Sequence, residues 1–308
     1  MSVDMTPLVG LLGHLRPAIS SWAAEGAPRM RISEVRLGPP VPAPRQIIAV
    51  GANYAGHMNE VSSSQPSPSR PVLFAKSPGS VVGPNDDIIR PPETRLLDYE
   101  AELAVVIGTG GRRVRYSDAM AHVAGFMIAN DVTARDVVLE DQAKHPLFLQ
   151  VLRGKGYDSF CPTGPWLVTP DDSADPHDMG LRLWVNGELR QDDTTAHMTY
   201  DVESLIESIS ASIRLFPGDI ILTGTPAGVG MAMKPPRSLT AGDVVRIAID
   251  SLGTMSTNVK DEDDPTAATL WEKRQQTDSF ANRASHPGLA PMEPRDPSAP
   301  RRRWFPRT

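Results

Sequence analysis

Apolar residues along this chain fall into short runs rich in Val and Ile, each bordered by Gly, Pro, Asn or Asp. They are Ile47–Val50, Val72–Ala75, Leu103–Ile107, Phe126–Ala129, Trp166–Val168, Leu181–Val185, Ile220–Leu222 and Val244–Ile249. Their length, β-branching and turn-residue borders predict strands. Asp201–Ser212 differs: Val202, Leu205, Ile206 and Ile209 recur at the spacing of one helix face. Asp136–Gln142 predicts a second helix with Thr133 as a candidate cap, and Pro7–Leu15 a short third one. Strands outnumber helices, so the expected fold class is α+β and β-rich.

The same pattern divides the chain into three parts. Residues 1–45 hold the short Pro7–Leu15 helix and a connector, Gly38-Pro39-Pro40-Val41-Pro42-Ala43-Pro44, which neither helix nor central strand tolerates. Residues 46–259 carry the strands and form the expected catalytic body. Residues 260–308 turn polar, with Asp261-Glu262-Asp263-Asp264, recurrent prolines and Arg301-Arg302-Arg303. A composition like this predicts disorder.

Composition narrows the function classes. At 308 residues the chain can bury a sizeable core, and its net charge of −6 argues against nucleic acid or an anionic membrane as partner. No apolar run reaches the length of a membrane span, and Met1–Gly10 lacks a basic start followed by an apolar block. The single cysteine, Cys161, leaves no intramolecular disulfide framework and fits a reducing cytoplasm. It reads as a small buried hydrophobe.

Candidate chemistry starts at Asp98-Tyr99-Glu100-Ala101-Glu102-Leu103, where three carboxylates share one face if the segment is a strand. Like charges so spaced repel unless a cation neutralises them, and oxygen ligands suit Mg²⁺, Mn²⁺ or Ca²⁺. The plain alternative is a solvated polar face. Asp131 follows the run Phe126–Ala129 and is a further ligand candidate, although on its own a residue so placed is more often a helix cap. His57 and Glu60 share a face if Asn53–Glu60 makes a helical turn, the arrangement of a carboxylate-backed general base. Lys155 stands between Gly154 and Gly156, where a lysine can meet developing negative charge or merely lie exposed on a tight turn. Thr223-Gly224-Thr225-Pro226-Ala227-Gly228-Val229-Gly230 is a Gly-rich loop without the Lys-Ser/Thr of a phosphate loop; its N–H groups suit a carboxylate.

Taken in order, these motifs resemble the fumarylacetoacetate hydrolase superfamily. The resemblance is to its short-subunit branch of acylpyruvate hydrolases, oxaloacetate decarboxylases and 2-hydroxyhepta-2,4-diene-1,7-dioate isomerases. It rests on Gly51–Glu60, Asp98–Leu103, Asn130–Asp136, Gly154–Asp158 and Thr223–Gly230. It implies a mixed β-sandwich roll, a homodimer and a divalent ion, Mg²⁺ with Mn²⁺ or Ca²⁺ as substitutes, on Glu100, Glu102 and Asp131. It further implies that His57, Glu60 and Lys155 are catalytic and that Arg135, Thr225 and Tyr157 contact a small 2-oxo acid. One position departs from the resemblance: many relatives carry Gln three residues after the Arg, where this chain has Val138.

The first expectation is a Mg²⁺-dependent hydrolase cleaving a carbon–carbon bond in a 2,4-diketo acid of acylpyruvate type, through an enolate that the metal stabilises. The second is a decarboxylase or isomerase of oxaloacetate or a related unsaturated diacid, passing through the same enolate. A third, of another class, is a non-catalytic protein that binds a metal and a small acid.

Overall fold

The computed structural model describes residues 5–61, 68–144 and 151–263, and the tail expected to be disordered lies, from residue 264 on, outside the described residues. Each strand read from the apolar runs is present, most of them longer than expected. The chain opens with α1 (Thr6–Val9), α2 (Leu12–Ala24), β1 (Ile47–Gly51), α3 (Ala55–Val61), β2 (Val72–Lys76), β3 (Val81–Val82) and β4 (Ile88–Arg90). There follow β5 (Leu97–Asp98), β6 (Ala101–Ile107), β7 (Val123–Asn130), β8 (Thr133–Ala134), α4 (Arg135–Lys144) and α5 (Leu152–Lys155). The last are β9 (Cys161–Val168), β10 (Gly180–Val185), β11 (Glu188–Thr194), α6 (Val202–Ser212), β12 (Ile220–Leu222), β13 (Val244–Ile249) and β14 (Gly253–Asp261).

The strands form a seven-stranded mixed sheet ordered β2-β1-β12-β6-β7-β9-β3, a five-stranded sheet ordered β11-β10-β13-β14-β4, and a small β5-β8 pair. The fold is α+β and sheet-rich, as the apolar pattern predicts. β6 is buried along its whole length because both its faces are covered. Leu103, Val105 and Ile107 join the larger apolar core, which also takes Leu181, Leu183, Val245 and Ile247 from the second sheet. Ala104 and Val106 join a smaller core on the other face, with Val9 and Val41 of the N-terminal segment. Alternation along the strand makes both possible. Among the described residues no helix is long and apolar enough to cross a membrane.

Three local expectations need correction. The expected Pro7–Leu15 helix is interrupted at Gly10, a poor helix residue, and α2 then runs on to Ala24 without burying a side chain. Thr133 does not cap α4: it pairs with Asp98 across β5-β8, and its hydroxyl donates to the Asp131 carbonyl at 2.9 Å. The chain from Asp98 to Gly108 is not one strand. β5 ends at Asp98, β6 begins at Ala101, and the break turns Asp98 to partners of its own.

Candidate active site

β6 and β7 pair antiparallel with Glu102 opposite Ala129 and Ala101 opposite Asn130. Glu102 therefore continues the side of β6 that carries Ala104 and Val106, and Asp131 continues the side of β7 that carries Met127 and Ala129. Main-chain bonds lock Glu100 to the same place. Its N–H donates to Asn130 Oδ1 at 3.0 Å, and its carbonyl accepts the Asp131 N–H at 2.8 Å. One oxygen from each of Glu100, Glu102 and Asp131 lies within 4.8 Å of the others, and all three residues are buried.

Asp98, the third acid of the alternating run, lies outside this cage. Its Oδ1 accepts the Gly230 N–H at 2.8 Å, and its Oδ2 accepts Arg135 Nε at 2.9 Å and the Met231 N–H at 3.2 Å. Asp98 thus fastens the Gly-rich loop to the site. Arg135 reaches on to Glu100 Oε1 at 2.6 Å, so its guanidinium bridges two carboxylates.

Lys155 enters from α5, with Nζ 2.7 Å from Glu100 Oε2 and 2.6 Å from Asp131 Oδ2. It can do so because α5 lies flush on α4: a Cβ on Gly154 would meet Val138 Cγ2 at 2.4 Å and the Ala134 carbonyl at 2.9 Å. A second lysine, absent from the sequence expectations, approaches Asp131 from the other side. Lys76 Nζ lies 2.7 Å from Asp131 Oδ1 with both side chains fully buried, and it also donates to the carbonyls of Val132, at 3.3 Å, and Lys155.

Charge is unevenly matched across this cluster. Burial opposes ionisation of Glu100, yet Lys155, Arg135 and His57 together hold its carboxyl well below the usual range. Burial likewise disfavours charge on Lys155, but Asp131 and Glu100 outweigh it and the lysine stays an ammonium. Glu102 goes the other way: burial, Asp131 and Glu100 push its carboxyl well above the usual range, against Lys155 and the Gly224 N–H. That N–H, 2.7 Å from Glu102 Oε2, comes from a glycine at φ +96° on the loop after β12. An all-oxygen donor set with one carboxylate under-neutralised fits a hard divalent cation, which would be held by Glu100, Glu102 and Asp131.

The dyad also forms. α3 places His57 Nδ1 2.9 Å from Glu60 Oε1, and Glu60 Oε2 accepts the Gly228 N–H at 2.9 Å. Asn53 staples the start of this segment by donating to the Thr223 carbonyl at 2.7 Å. Thr225 lies beside the cage, but its hydroxyl is engaged: it donates to the Ala101 carbonyl at 2.9 Å and accepts from Gln191 Nε2 at 2.8 Å. Tyr157 is placed elsewhere. Its ring packs on Phe160, with centroids 5.1 Å apart, and it lines a surface cleft with Ile89, Pro91 and Glu262. Cys161 is a free, buried thiol that burial pushes up to about 12, in keeping with its reading as a small hydrophobe.

Sequence reasoning missed Lys76 and Gln191. Lys76 sits one residue past an expected strand end, where lysines are ordinarily solvated, and Gln191 lies in β11, whose Glu-Leu-Arg-Gln-Asp-Asp-Thr run has no apolar alternation.

Together the sheet-rich α+β fold, the acid cage and the carboxylate-backed histidine describe an enzyme-like site in which three buried carboxylates could hold a divalent ion near a histidine base. The pattern described as fumarylacetoacetate (FAA) hydrolase C-terminal matches residues 46–260, and the chain belongs to that family. It is 48% identical over 227 residues to oxaloacetate tautomerase FAHD2B, mitochondrial, of Bos taurus, covering 74% of this chain and 70% of that protein. Among solved structures it is similar to a probable 2-hydroxyhepta-2,4-diene-1,7-dioate isomerase from Mycobacterium abscessus. The TM-score is 0.73 at 44% identity, over 85% of this chain and 90% of that one. It is also similar to maleylpyruvate hydrolase from Sphingobium, solved with manganese(II) and pyruvate, at TM-score 0.69 and 34% identity over 83% and 85% of the two chains. The protein is an enzyme of this superfamily.

Proposed function

We propose that this enzyme interconverts the keto and enol forms of oxaloacetate, or of a closely related 2-oxo diacid, with a bound Mg²⁺ or Mn²⁺. The observation that carries this reading is the buried Glu100–Glu102–Asp131 cage with Lys155 inside it. It occurs in a chain 48% identical to an oxaloacetate tautomerase.

When bound, the ion supplies Lewis-acid polarisation to the adjacent carboxylate and ketone oxygens of a 2-oxo acid. The side chains do the rest. His57, whose Nδ1 is occupied by Glu60, presents Nε2 as a base that takes the C3 proton. The C3–H electron pair becomes the C2–C3 double bond, and negative charge moves onto the C2 oxygen. Lys155, with Arg135 behind Glu100, offsets that charge. The oxygen then takes a proton from solvent and His57 gives its own up, so substrate and product are isomers. Thr225 contributes through position, since its hydroxyl proton already faces the Ala101 carbonyl.

Cleavage of an acylpyruvate is the second reading, favoured by the same dyad. A base backed by a carboxylate can deprotonate water as readily as carbon, and the Sphingobium relative is a hydrolase. Decarboxylation of oxaloacetate would need the cage but no attacking water.

The test is to follow enol-to-keto relaxation of oxaloacetate, release of CO₂, and loss of an acylpyruvate in parallel, each with Mn²⁺ and with EDTA. Metal-dependent acceleration of relaxation beyond the other two supports the proposal. Relaxation no faster than buffer alone, with Mn²⁺ present, would remove it. The homodimer and the cytoplasmic setting implied at the outset belong to this proposal as well. Sedimentation at micromolar concentration showing a monomer would remove the former, and the name of the bovine relative places that protein in mitochondria.

A further inference from the structure

We infer that Gln191 is a positioning residue that makes the Thr225 hydroxyl an acceptor, so that the site recognises the enol O–H of its substrate rather than the ketone. The inference rests on the reading of the substrate as a 2-oxo acid that changes tautomer. Gln191 belongs to β11, an edge strand of the second sheet, yet the residue is fully buried against the start of β6 in the first. Its Oε1 accepts the Ala101 N–H at 3.0 Å. Its Nε2 donates to the Thr225 hydroxyl at 2.8 Å and to the Pro226 carbonyl at 2.9 Å.

These partners leave the amide one orientation. The Ala101 N–H only donates and the Pro226 carbonyl only accepts, so a reversed amide would set donor against donor and acceptor against acceptor. The network itself therefore assigns the oxygen and the nitrogen. β11 cannot draw back from the loop without opening a close main-chain contact. Gly228, at φ +106°, lies so near that a Cβ on it would run into the Arg190 carbonyl.

A threonine hydroxyl has one proton and two lone pairs. Thr225 directs its proton to the Ala101 carbonyl at 2.9 Å, and Gln191 takes one lone pair. What remains is a single lone pair. Ala101 stands between Glu100 and Glu102, which puts this hydroxyl beside the cage. Ketone and carboxylate oxygens are acceptors and repel a lone pair, whereas the enol hydroxyl is a donor and satisfies it. Swinging the Thr225 proton toward a ligand would abandon a buried carbonyl. Without Gln191 the hydroxyl loses one of its two anchors, and its direction is no longer set.

The experiment is calorimetric titration of the full-length protein, loaded with Mn²⁺, with glycolate and with oxalate. Glycolate sets an O–H beside its carboxylate, as the enol does, while oxalate sets a second acceptor there. Thr225→Val is expected to weaken glycolate about three- to tenfold, the scale of one hydrogen bond, and to leave oxalate within about twofold. Gln191→Met should weaken glycolate relative to oxalate by about threefold or more. Added to Thr225→Val, it should move that ratio no further, because it acts through the hydroxyl. Thr225→Val keeps the Gln191 bonds to Ala101 and Pro226, so it still decides should Gln191→Met fold poorly. Oxalate weakened as much as glycolate in Thr225→Val would overturn the inference, and so would no change in either. So would a Gln191→Met effect that persists in the double variant, the mark of a merely structural glutamine. Binding of neither acid by wild type would overturn the small-acid reading, and this inference with it. Failure of the tautomerase reading alone shows separately, as oxaloacetate relaxation that Mn²⁺-loaded protein does not speed while these affinity ratios hold.

Discussion

Glu60 holds His57 with one carboxylate oxygen and accepts the Gly228 N–H with the other, so the dyad is fastened to the Gly-rich loop at 2.9 Å on both sides. The imidazole is thereby fixed in one orientation relative to the loop that also supplies Gly224 to Glu102. Base and cage share a support.

His57→Asn is accordingly expected to lower kcat on oxaloacetate by about 10²–10⁴-fold, the usual contribution of a positioned base. Its Mn²⁺ affinity should stay within about twofold of wild type, since no cage ligand is touched. Glu60→Gln should give a smaller loss in kcat. Steady-state kinetics beside metal titration checks both, and retention of most of the activity in His57→Asn would remove the dyad from the reaction.

Glu102 yields a prediction about pH in the absence of metal. Its folded carboxyl titrates above the usual glutamate range because burial, Asp131 and Glu100 disfavour its charge. A group raised in this way stabilises the fold fully below its unfolded pKa, and that contribution is lost as pH rises through the folded value. In EDTA, then, Glu102 costs wild type stability as pH climbs above the ordinary glutamate range. Glu102→Gln should melt near wild type at acid pH and progressively above it toward neutrality. With excess Mn²⁺ the order should reverse, because the ion stabilises only the protein that binds it. Thermal melts across pH, with EDTA and with Mn²⁺, read both signs.

Asp98 is expected to matter for stability rather than for ion binding. It is buried and engages Gly230, Met231 and Arg135 at once. Asp98→Ala leaves Arg135 buried with half its charge partners, a loss of about 3–5 kcal/mol by the scale of broken buried pairs. Denaturant unfolding should show that loss, while a folded fraction that still binds Mn²⁺ would confirm that Asp98 is no ligand. Unfolding at wild-type denaturant concentration would contradict the assignment.

Much of this arrangement can be read from the chain before any coordinates. Apolar runs locate β6, β7 and β12 because these strands are buried on both faces and have no polar alternation to confuse the reading. The acids at their ends stand out against that background. What escapes is whatever depends on distant pairing. Asp98 looks like a third ligand until the break at Tyr99–Glu100 is known. Lys76 and Gln191 look solvated until β2 is seen beside β1, and β11 is seen with Gln191 on Ala101 and Thr225. β14 did carry an alternation, with Met255, Thr257 and Val259 buried, but its polar outer face hid it.

Val138 and Gly154 give the last prediction. The departure at Val138 places a branched apolar side chain against the one residue that lets α5 approach α4, and Lys155 follows directly on that contact. A Cβ added at Gly154 would sit 2.4 Å from Val138 Cγ2, 2.9 Å from the Ala134 carbonyl and 3.2 Å from the Val138 nitrogen. The first clash involves a side chain that can be trimmed, whereas the second involves backbone that cannot. Gly154→Ala should therefore push α5 outward and draw Lys155 off Glu100 and Asp131, lowering kcat by about 10²-fold, as misplacement of a positioned group by about 1 Å does. Adding Val138→Ala should recover only part of that loss, because the carbonyl contact persists. A double-mutant cycle in kcat reads the coupling. Full recovery would mean that the side chain alone sets the spacing, and no loss in Gly154→Ala would show that Lys155 does not depend on the close approach of the two helices.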